Sequence, residues 1–319
     1  MTNQCIRSSR VYVAAVLFLS AFVSSCKDDK VATVVAPPVL STPPAVPSAT
    51  ASAVAAPDED SCKAPDCRLF DAPREAFAAV LADKPLVLAI GESHAPKGAE
   101  EITSSTKRFT ETFLPMLVDP KQQMPASDIV LEIWVAEGQC GKKKEAAVAE
   151  KQKPVTQNQA KTNQNEYVTL GDAAHAKGVK PHILRAPCAD YDKILQAKDD
   201  AVIVMLEMIA RLIDEKVTTL LGQRGNTAPE KMILTYGGAI HNDLVAREGR
   251  EKWTFGPDLS KKTKGRYIEL DLVVPEYIKD NDSWNALPWI SHYKKDAHPT
   301  KTTLFRPQPG SYVLIFPRS

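Results

Sequence analysis

The stretch Leu86-Val87-Leu88-Ala89-Ile90-Gly91-Glu92-Ser93-His94 decides how the chain folds, because it joins a buried-strand pattern to polar residues. Five apolar residues that end at a glycine are typical of a short, fully buried strand. Two later segments have the same arrangement: 232–236 runs into Gly237-Gly238-Ala239-Ile240-His241, and 129–131 runs into Glu132. Ligands of open α/β sheets bind beyond the carboxyl ends of the strands, so we expect these Glu and His side chains to share one site.

Strand and helix patterns alternate along the rest of the chain. Strand patterns cover Ile129–Val135, Val179–Leu184, Tyr267–Val274 and Ser311–Phe316, and an apolar stripe from 202 to 217 predicts a long helix. Strands that alternate with helices form a mostly parallel sheet, because right-handed crossovers place the helices on its faces. The sequence therefore predicts an α/β fold with a mostly parallel central sheet, helices on both faces and the site at the carboxyl ends of the strands.

Two segments interrupt this alternation. Residues 136–165 form a polar insertion rich in Lys and Gln, directly after Glu132. A loop of that length is usually a lid, a binding loop or a disordered segment. Residues 275–310 contain Trp284, Trp289 and Tyr293. We expect these aromatic side chains to pack over the edge of the sheet, with a pocket wall as the alternative.

The N-terminal residues have the pattern of a bacterial lipoprotein signal. Arg7 and Arg10 precede an apolar stretch that is too short to span a bilayer, and small residues lead to Cys26. We expect residues 1–25 to be removed and Cys26 to be acylated, which makes a lipid bilayer the first predicted partner. An ordinary signal peptide is the alternative interpretation.

The domain organisation follows from composition. Residues 26–60 are rich in Ala and Pro and predict an extended tether, and residues 61–319 have the size of one α/β domain. The predicted location is the cell envelope, lipid-anchored and facing the periplasm or the cell surface. Removing the signal changes the net charge from +1 to −1, because it contains two arginines and no acidic residue. A nearly neutral chain without a basic stripe argues against nucleic-acid binding.

Four cysteines remain in the predicted domain, an even number that suits an oxidising compartment. Four cysteines allow three pairings. We favour Cys62–Cys67 and Cys140–Cys188, because Cys140 and Cys188 each follow a predicted strand and adjacent strands would bring them together. Zinc binding is the alternative, although no C-x-x-C spacing occurs.

The candidate site residues each have a functional and a purely structural interpretation. Glu92 and His94 lie two apart at a strand end, where alternation points both to one side, or they begin a helix. Two glycines before His241 permit a close backbone approach, or form a turn into a helix that His241 caps. Burying the Glu132 carboxylate would be costly unless it is paired or ligated, which is the functional interpretation. The structural alternative is that Glu132 is exposed to solvent in a loop. Convergence of all of them predicts a metal site or an acid/base site.

In this order on strands, Gly91-Glu92-Ser93-His94, Leu131-Glu132 and Gly237-Gly238-Ala239-Ile240-His241 resemble the erythromycin-esterase/ChaN/Tiki-like superfamily. The resemblance implies an α/β domain and places Glu92, His94, Glu132 and His241 at that family's site positions. Its members include lactone hydrolases, metal-dependent proteases and haem-binding envelope lipoproteins. The haem-uptake branch usually continues with Asp and further His, whereas Ala95-Pro96-Lys97 follow here.

A hydrolase of ester, lactone or peptide bonds, acting on a small molecule or a peptide, has two forms. In one, His94 and His241 with one or both carboxylates hold Mn²⁺, Zn²⁺ or Co²⁺, which activates water, and the remaining carboxylate is the general base. In the other, no metal binds and His94 takes a proton from water, oriented by Glu92 and assisted by Glu132 or His241. Arg185, at the end of the third predicted strand, is a candidate for binding an oxyanion or a substrate carboxylate. The alternative interpretation is a surface arginine.

Three rival functions are open to test. Gly91-Glu92-Ser93-His94-Ala95 is similar to a nucleophile elbow, which would make Ser93 the nucleophile, but that elbow follows several earlier strands. A non-catalytic haem- or iron-binding uptake lipoprotein would need an axial ligand beside a large apolar face. The third rival is a surface adhesion or scaffold module that has lost the functional residues at the edge of its sheet. The intact set of Glu and His residues argues against it.

Overall fold

The computed structural model describes residue 62 and residues 66–119, 121, 124–224 and 231–319. The chain divides into two units, and all described residues belong to the second, Val54–Ser319. The predicted signal peptide, acylated Cys26 and the tether of residues 26–60 lie outside the described residues. None of the helices in the described ranges combines the length and the apolar character that crossing a bilayer requires.

The core of the fold is one eight-stranded sheet with the order β1-β7-β8-β6-β2-β5-β3-β4. Five of its strand pairs are parallel, and β7 is antiparallel to both of its neighbours. The predicted α/β fold with a mostly parallel sheet is therefore confirmed. The strands are β1 Arg68–Phe70, β2 Val87–Glu92, β3 Ala126–Ala136, β4 Lys180–Ala186, β5 Met232–Gly238, β6 Tyr267–Val273, β7 Thr302–Gln308 and β8 Ser311–Ile315.

Helices cover both faces of the sheet, as predicted. The described α-helices are α1 Pro73–Leu81, α2 Ser105–Arg108, α3 Leu114–Leu117, α4 Lys142–Thr156, α5 Asn163–Ala176, α6 Cys188–Gln196, α7 Ala201–Gln223, α8 Gly256–Lys262 and α9 Asp282–Asn285. A π-helical turn at Phe109–Phe113 joins α2 to α3. The buried residues of α1 and α5 belong to one apolar core, and those of α6, α7 and α8 belong to a second core on the opposite face.

Strand β2 lies in the middle of the sheet and explains the apolar run that precedes Gly91. All six of its residues are buried. Leu88 and Ile90 enter the core beneath α1 and α5, whereas Val87 and Ala89 enter the core beneath α7. A central parallel strand is covered on both faces, so it needs a continuous apolar run instead of an alternating one. Its buried position fixes Glu92 at the carboxyl edge of the sheet.

Most of the polar insertion at 136–165 is helical, so the expectation of a long loop is wrong. Helix α4 covers Lys142–Thr156, and α5 begins at Asn163. Ala, Lys, Glu and Gln have high intrinsic helix propensity, which accounts for the helix. Only Val148 of α4 is buried, so the segment has no apolar stripe from which a helical period could be recognised.

The aromatic residues of 275–310 pack against the sheet, as expected. Trp289 is buried and stacks on Phe305 of β7, with Trp284 and Tyr293 around it. Strand β7 itself was missed. Pro307 near its end is unfavourable in most strands, which hid the strand pattern.

Both predicted disulfides are present, Cys62–Cys67 and Cys140–Cys188. The second connects the chain before α4 to the first residue of α6, and so anchors the beginning of the helical insertion.

The two disulfides are expected to contribute unequally to stability, because a cross-link that closes a longer loop restricts the unfolded chain more. They join residues 48 and 5 positions apart. Replacing Cys140 and Cys188 by Ser should lower the free energy of unfolding by about 4 kcal/mol, and replacing Cys62 and Cys67 by about 2 kcal/mol. Urea unfolding of both double variants checks the order, and equal losses would contradict it.

Candidate functional site

The site lies where β2, β5 and β3 reach the carboxyl edge of the sheet. Glu92 is opposite Gly238 in the β2–β5 pair, and Leu131 is opposite Tyr236 in the β5–β3 pair. This register brings Glu92, His94, Glu132 and His241 together, as the sequence predicted. Strand β3 continues past Glu132 to Ala136, and its register to β4 shifts between Leu131 and Trp134. Glu132 therefore sits on an irregular part of the strand, where a side chain can be redirected.

Glu92 and His94 form a hydrogen-bonded pair. His94 Nδ1 lies 2.5 Å from Glu92 Oε1. The Glu92 side chain is 2% exposed, whereas that of His94 is 28% exposed. With Nδ1 bound to the carboxylate, Nε2 is the open nitrogen of the ring. Nε2 faces the backbone of Gly238, 3.7 Å from the position that a Cβ would occupy there.

Glu132 lies directly over the two glycines at the end of β5. Its Oε2 accepts a hydrogen bond of 2.5 Å from the Gly238 backbone N–H. A Cβ on Gly237 would come within 2.9 Å of the Glu132 Cβ and closer still to Oε2. Glycine is therefore required at 237 for the carboxylate to approach the strand. This confirms the close approach inferred from the glycine pair.

His241 is almost fully buried, with 2% of its side chain exposed. Its Nδ1 lies 2.7 Å from the Trp253 carbonyl oxygen and donates to it. Its Nε2 then faces Glu132 Oε1 at 3.6 Å. His241 lies just beyond the turn that follows β5, but no helix begins at that point of the described chain, so the interpretation as a helix cap is wrong. The carbonyl bond fixes the ring so that Nε2 faces the shared carboxylate.

The charges of the four side chains reinforce one another. Burial lowers the pKa of His94, but the carboxylates of Glu92 and Glu132 outweigh this and raise it to about 9. Burial raises the pKa of Glu132, and His241, His94 and the Gly238 N–H outweigh this and lower it to about 2. The pKa of His241 is also raised, because Glu132 outweighs the effect of burial. At neutral pH the site therefore holds the Glu132 carboxylate beside a protonated His94.

Tyr167 on α5 completes the cluster and was missed by the sequence reasoning. Its hydroxyl donates to Glu92 Oε1 at 3.0 Å. Residue 167 follows an insertion expected to be a loop, and a single tyrosine has no ligand spacing. No sequence signal could have identified it.

Arg185 and Ser93 are not part of this cluster. Arg185 is exposed near the end of β4, the edge strand, and β3 and β5 separate β4 from β2. Ser93 Oγ is buried without a hydrogen-bond partner among the described residues. Only the three-residue edge strand β1 precedes β2 in the described part of the chain, which does not match the several strands that precede a nucleophile elbow.

The residue types at the site are ones that bind divalent metals, but their side chains are not placed around a common point where a metal ion could sit. His94 Nε2, His241 Nε2 and Glu132 are the groups that could ligate, and both Nδ1 atoms are already held, as in many metal sites. In the described ranges, however, no group of three or more His, Cys, Asp or Glu side chains is placed to hold a metal ion. The metal set stays a prediction.

Among known proteins, one solved structure has a chain fold similar to this one. No family model and no curated protein matches the chain. A solved structure of a variant of the erythromycin esterase EreC, in its open conformation, is similar over 79% of this chain and 97% of that chain, with a TM-score of 0.41 and 9% identity. A likeness of this size leaves the function to be inferred from the site itself.

Proposed function

We propose that this chain is a hydrolase of ester, lactone or peptide bonds in which His94 takes the proton from the attacking water. One observation supports this above the others: His94 Nδ1 is held by Glu92, and Nε2 is left open beside Glu132. A base needs one ring nitrogen oriented by a third group and the other within reach of the proton that it removes. The His94 side chain is 28% exposed, so the ring is not closed off from water.

Each residue of the cluster then has a defined task. Glu92 fixes the tautomer and the orientation of the His94 ring. Glu132 is a carboxylate under all ordinary conditions, and its charge stabilises the imidazolium that forms when His94 accepts a proton. His241 faces the same carboxylate and, together with the Gly238 N–H, keeps it in place.

The rate of hydrolysis is expected to rise with pH. His94 acts as a base only when it is deprotonated, and its pKa is about 9. The fraction of active protein therefore increases between pH 7 and 9 and levels off above it. Replacing Glu132 by Gln removes one of the charges that raise this pKa, so the rise should move to lower pH. Profiles of kcat/KM from pH 6 to 10 check this; a flat profile would contradict the role of His94.

A substrate panel tests the proposed bond class. The full chain is incubated with chromogenic esters, with lactones and with peptides, each beside the His94→Ala variant. The proposal expects hydrolysis in at least one class, and loss of that hydrolysis in the variant. Equal rates for both proteins in all three classes would refute it.

The remaining predictions are proposals that rest on the sequence. A divalent metal such as Mn²⁺, Zn²⁺ or Co²⁺ is the second form of the hydrolase, and activity that requires added metal would favour it. A haem- or iron-binding uptake lipoprotein is the non-catalytic alternative, and a shift in the haem absorbance spectrum would favour that. We also propose anchoring to a lipid bilayer in the cell envelope through acylated Cys26.

A further inference from the structure

Tyr167 is a buried polar residue to which the proposed reaction assigns no task. It is 5% exposed, and its hydroxyl donates to Glu92 Oε1 at 3.0 Å. Burial, together with the charges of Glu92 and Glu132, raises the pKa of Tyr167 well above its ordinary value. The phenol therefore stays protonated and remains a hydrogen-bond donor.

We propose that Tyr167 is a positioning residue that sets the orientation of His94 through Glu92. The inference rests on the proposed function, in which His94 is the base. Glu92 Oε1 accepts from two donors, His94 Nδ1 at 2.5 Å and the Tyr167 hydroxyl at 3.0 Å. Hydrogen bonds to a carboxylate are strong and directional. With both donors on one oxygen, the Glu92 side chain has one orientation, and the imidazole follows it.

The ring of Tyr167 also bounds the space around His94. Its centroid lies 6.0 Å from that of the His94 ring, which is tilted against it. The ring also packs edge-on against Tyr236, with the two centroids 5.4 Å apart. The phenol is therefore held by packing before it donates to Glu92, as a group that orients another must be.

The first residue of α5 and the segment before it are bound to the chain that follows His94. The Ala95 carbonyl oxygen accepts from the Ala160 N–H at 2.7 Å and from Asn163 Nδ2 at 3.1 Å. The Lys97 N–H donates to the Asn158 carbonyl at 2.9 Å. These bonds hold residues 95–97, which directly follow His94, against residues 158–163. Helix α5 thus places Tyr167 against Glu92, and its first residue, Asn163, is bound to the chain beyond His94.

The test compares Tyr167→Phe with Tyr236→Phe in the full chain labelled with ¹⁵N-histidine. Each substitution removes one buried hydroxyl from the same aromatic pair, but only Tyr167 donates to Glu92. The first readout is the ¹⁵N chemical shift of His94 Nδ1, assigned by its absence in His94→Ala. The second readout is the separate effect on kcat and on KM for whichever substrate is hydrolysed.

We expect Tyr167→Phe to change the His94 Nδ1 shift and to lower kcat by roughly ten- to hundredfold with KM unchanged, because misplacement of a base costs rate and not binding. Tyr236→Phe should leave the shift and kcat as they are. An unchanged shift in Tyr167→Phe, or an equal change in both variants, would overturn the positioning role. If the wild-type chain hydrolyses nothing, the proposed function fails, but the chemical shift still decides whether Tyr167 orients His94.

Discussion

Replacing His94 by Ala is expected to lower kcat/KM for hydrolysis by about 10²- to 10⁴-fold, which is the usual contribution of a positioned general base. His94 provides the open nitrogen of the site. The Glu92 carboxylate already accepts hydrogen bonds from His94 and Tyr167, and the Glu132 carboxylate accepts one from the Gly238 N–H. Initial rates at pH 9, where wild-type His94 is half deprotonated, measure the loss most directly.

Loss of activity has to be separated from loss of fold. Glu92 is buried, and the Ala variant removes one of its two donors, so some loss of stability is expected. His94→Asn keeps an N–H donor near the position of Nδ1 but contains no titrating nitrogen, so it should fold like wild type and be equally inactive. His175→Ala, an exposed histidine on α5, is the matched control and should keep full activity. Thermal melts in which both His94 variants are grossly unfolded would indicate a structural histidine instead.

Replacing Gly237 by Ala is expected to displace Glu132 and to damage both stability and activity. The new Cβ would lie 2.9 Å from the Glu132 Cβ and closer to its carboxylate, so Glu132 must move. The hydrogen bond from the Gly238 N–H to Oε2 would break. Overpacking of this kind costs about 1–3 kcal/mol of stability. We expect kcat to fall roughly ten- to hundredfold as well, because the charge beside His94 is misplaced.

Gly222→Ala is the matched control for this substitution. Gly222 lies in α7, and nothing lies within 4 Å of the Cβ that alanine would add there. Alanine in a helix is more stable than glycine by about 0.5–1 kcal/mol, so this variant should gain stability and keep its activity. Urea unfolding and initial rates of the two variants check both expectations. A Gly237→Ala protein with wild-type stability and rate would show that Glu132 has no fixed place over β5.

Most of the framework of the site could be predicted from the sequence, because β2 and β5 are buried on both faces. Their continuous apolar runs end in glycines, and those glycines mark the edge where Glu92, His94 and His241 meet. The disulfide Cys140–Cys188 was also predictable, since both cysteines follow a strand, and that pairing leaves Cys62 for Cys67.

The rest of the site depends on contacts between distant parts of the chain. The bond from His241 to the Trp253 carbonyl and the placement of Glu132 over Gly237 are set by the way loops and strands pack, not by any local spacing. Helix α4 has no apolar stripe, so the spacing of apolar residues in the sequence could not indicate a helix there. Tyr167 reaches Glu92 from α5, whose first residue, Asn163, is bound to the segment after His94.

The most direct test of the account is the hydrolysis rate of the full wild-type chain, measured at pH 9 after prolonged dialysis against a metal chelator and with its metal content determined. We predict hydrolysis of an ester, a lactone or a peptide at the same rate before and after dialysis, and loss of that rate in His94→Asn. Hydrolysis that disappears on dialysis and returns with added Mn²⁺, Zn²⁺ or Co²⁺ would contradict the role of His94 as the base. Wild-type rates no higher than those of His94→Asn would contradict a hydrolytic site altogether.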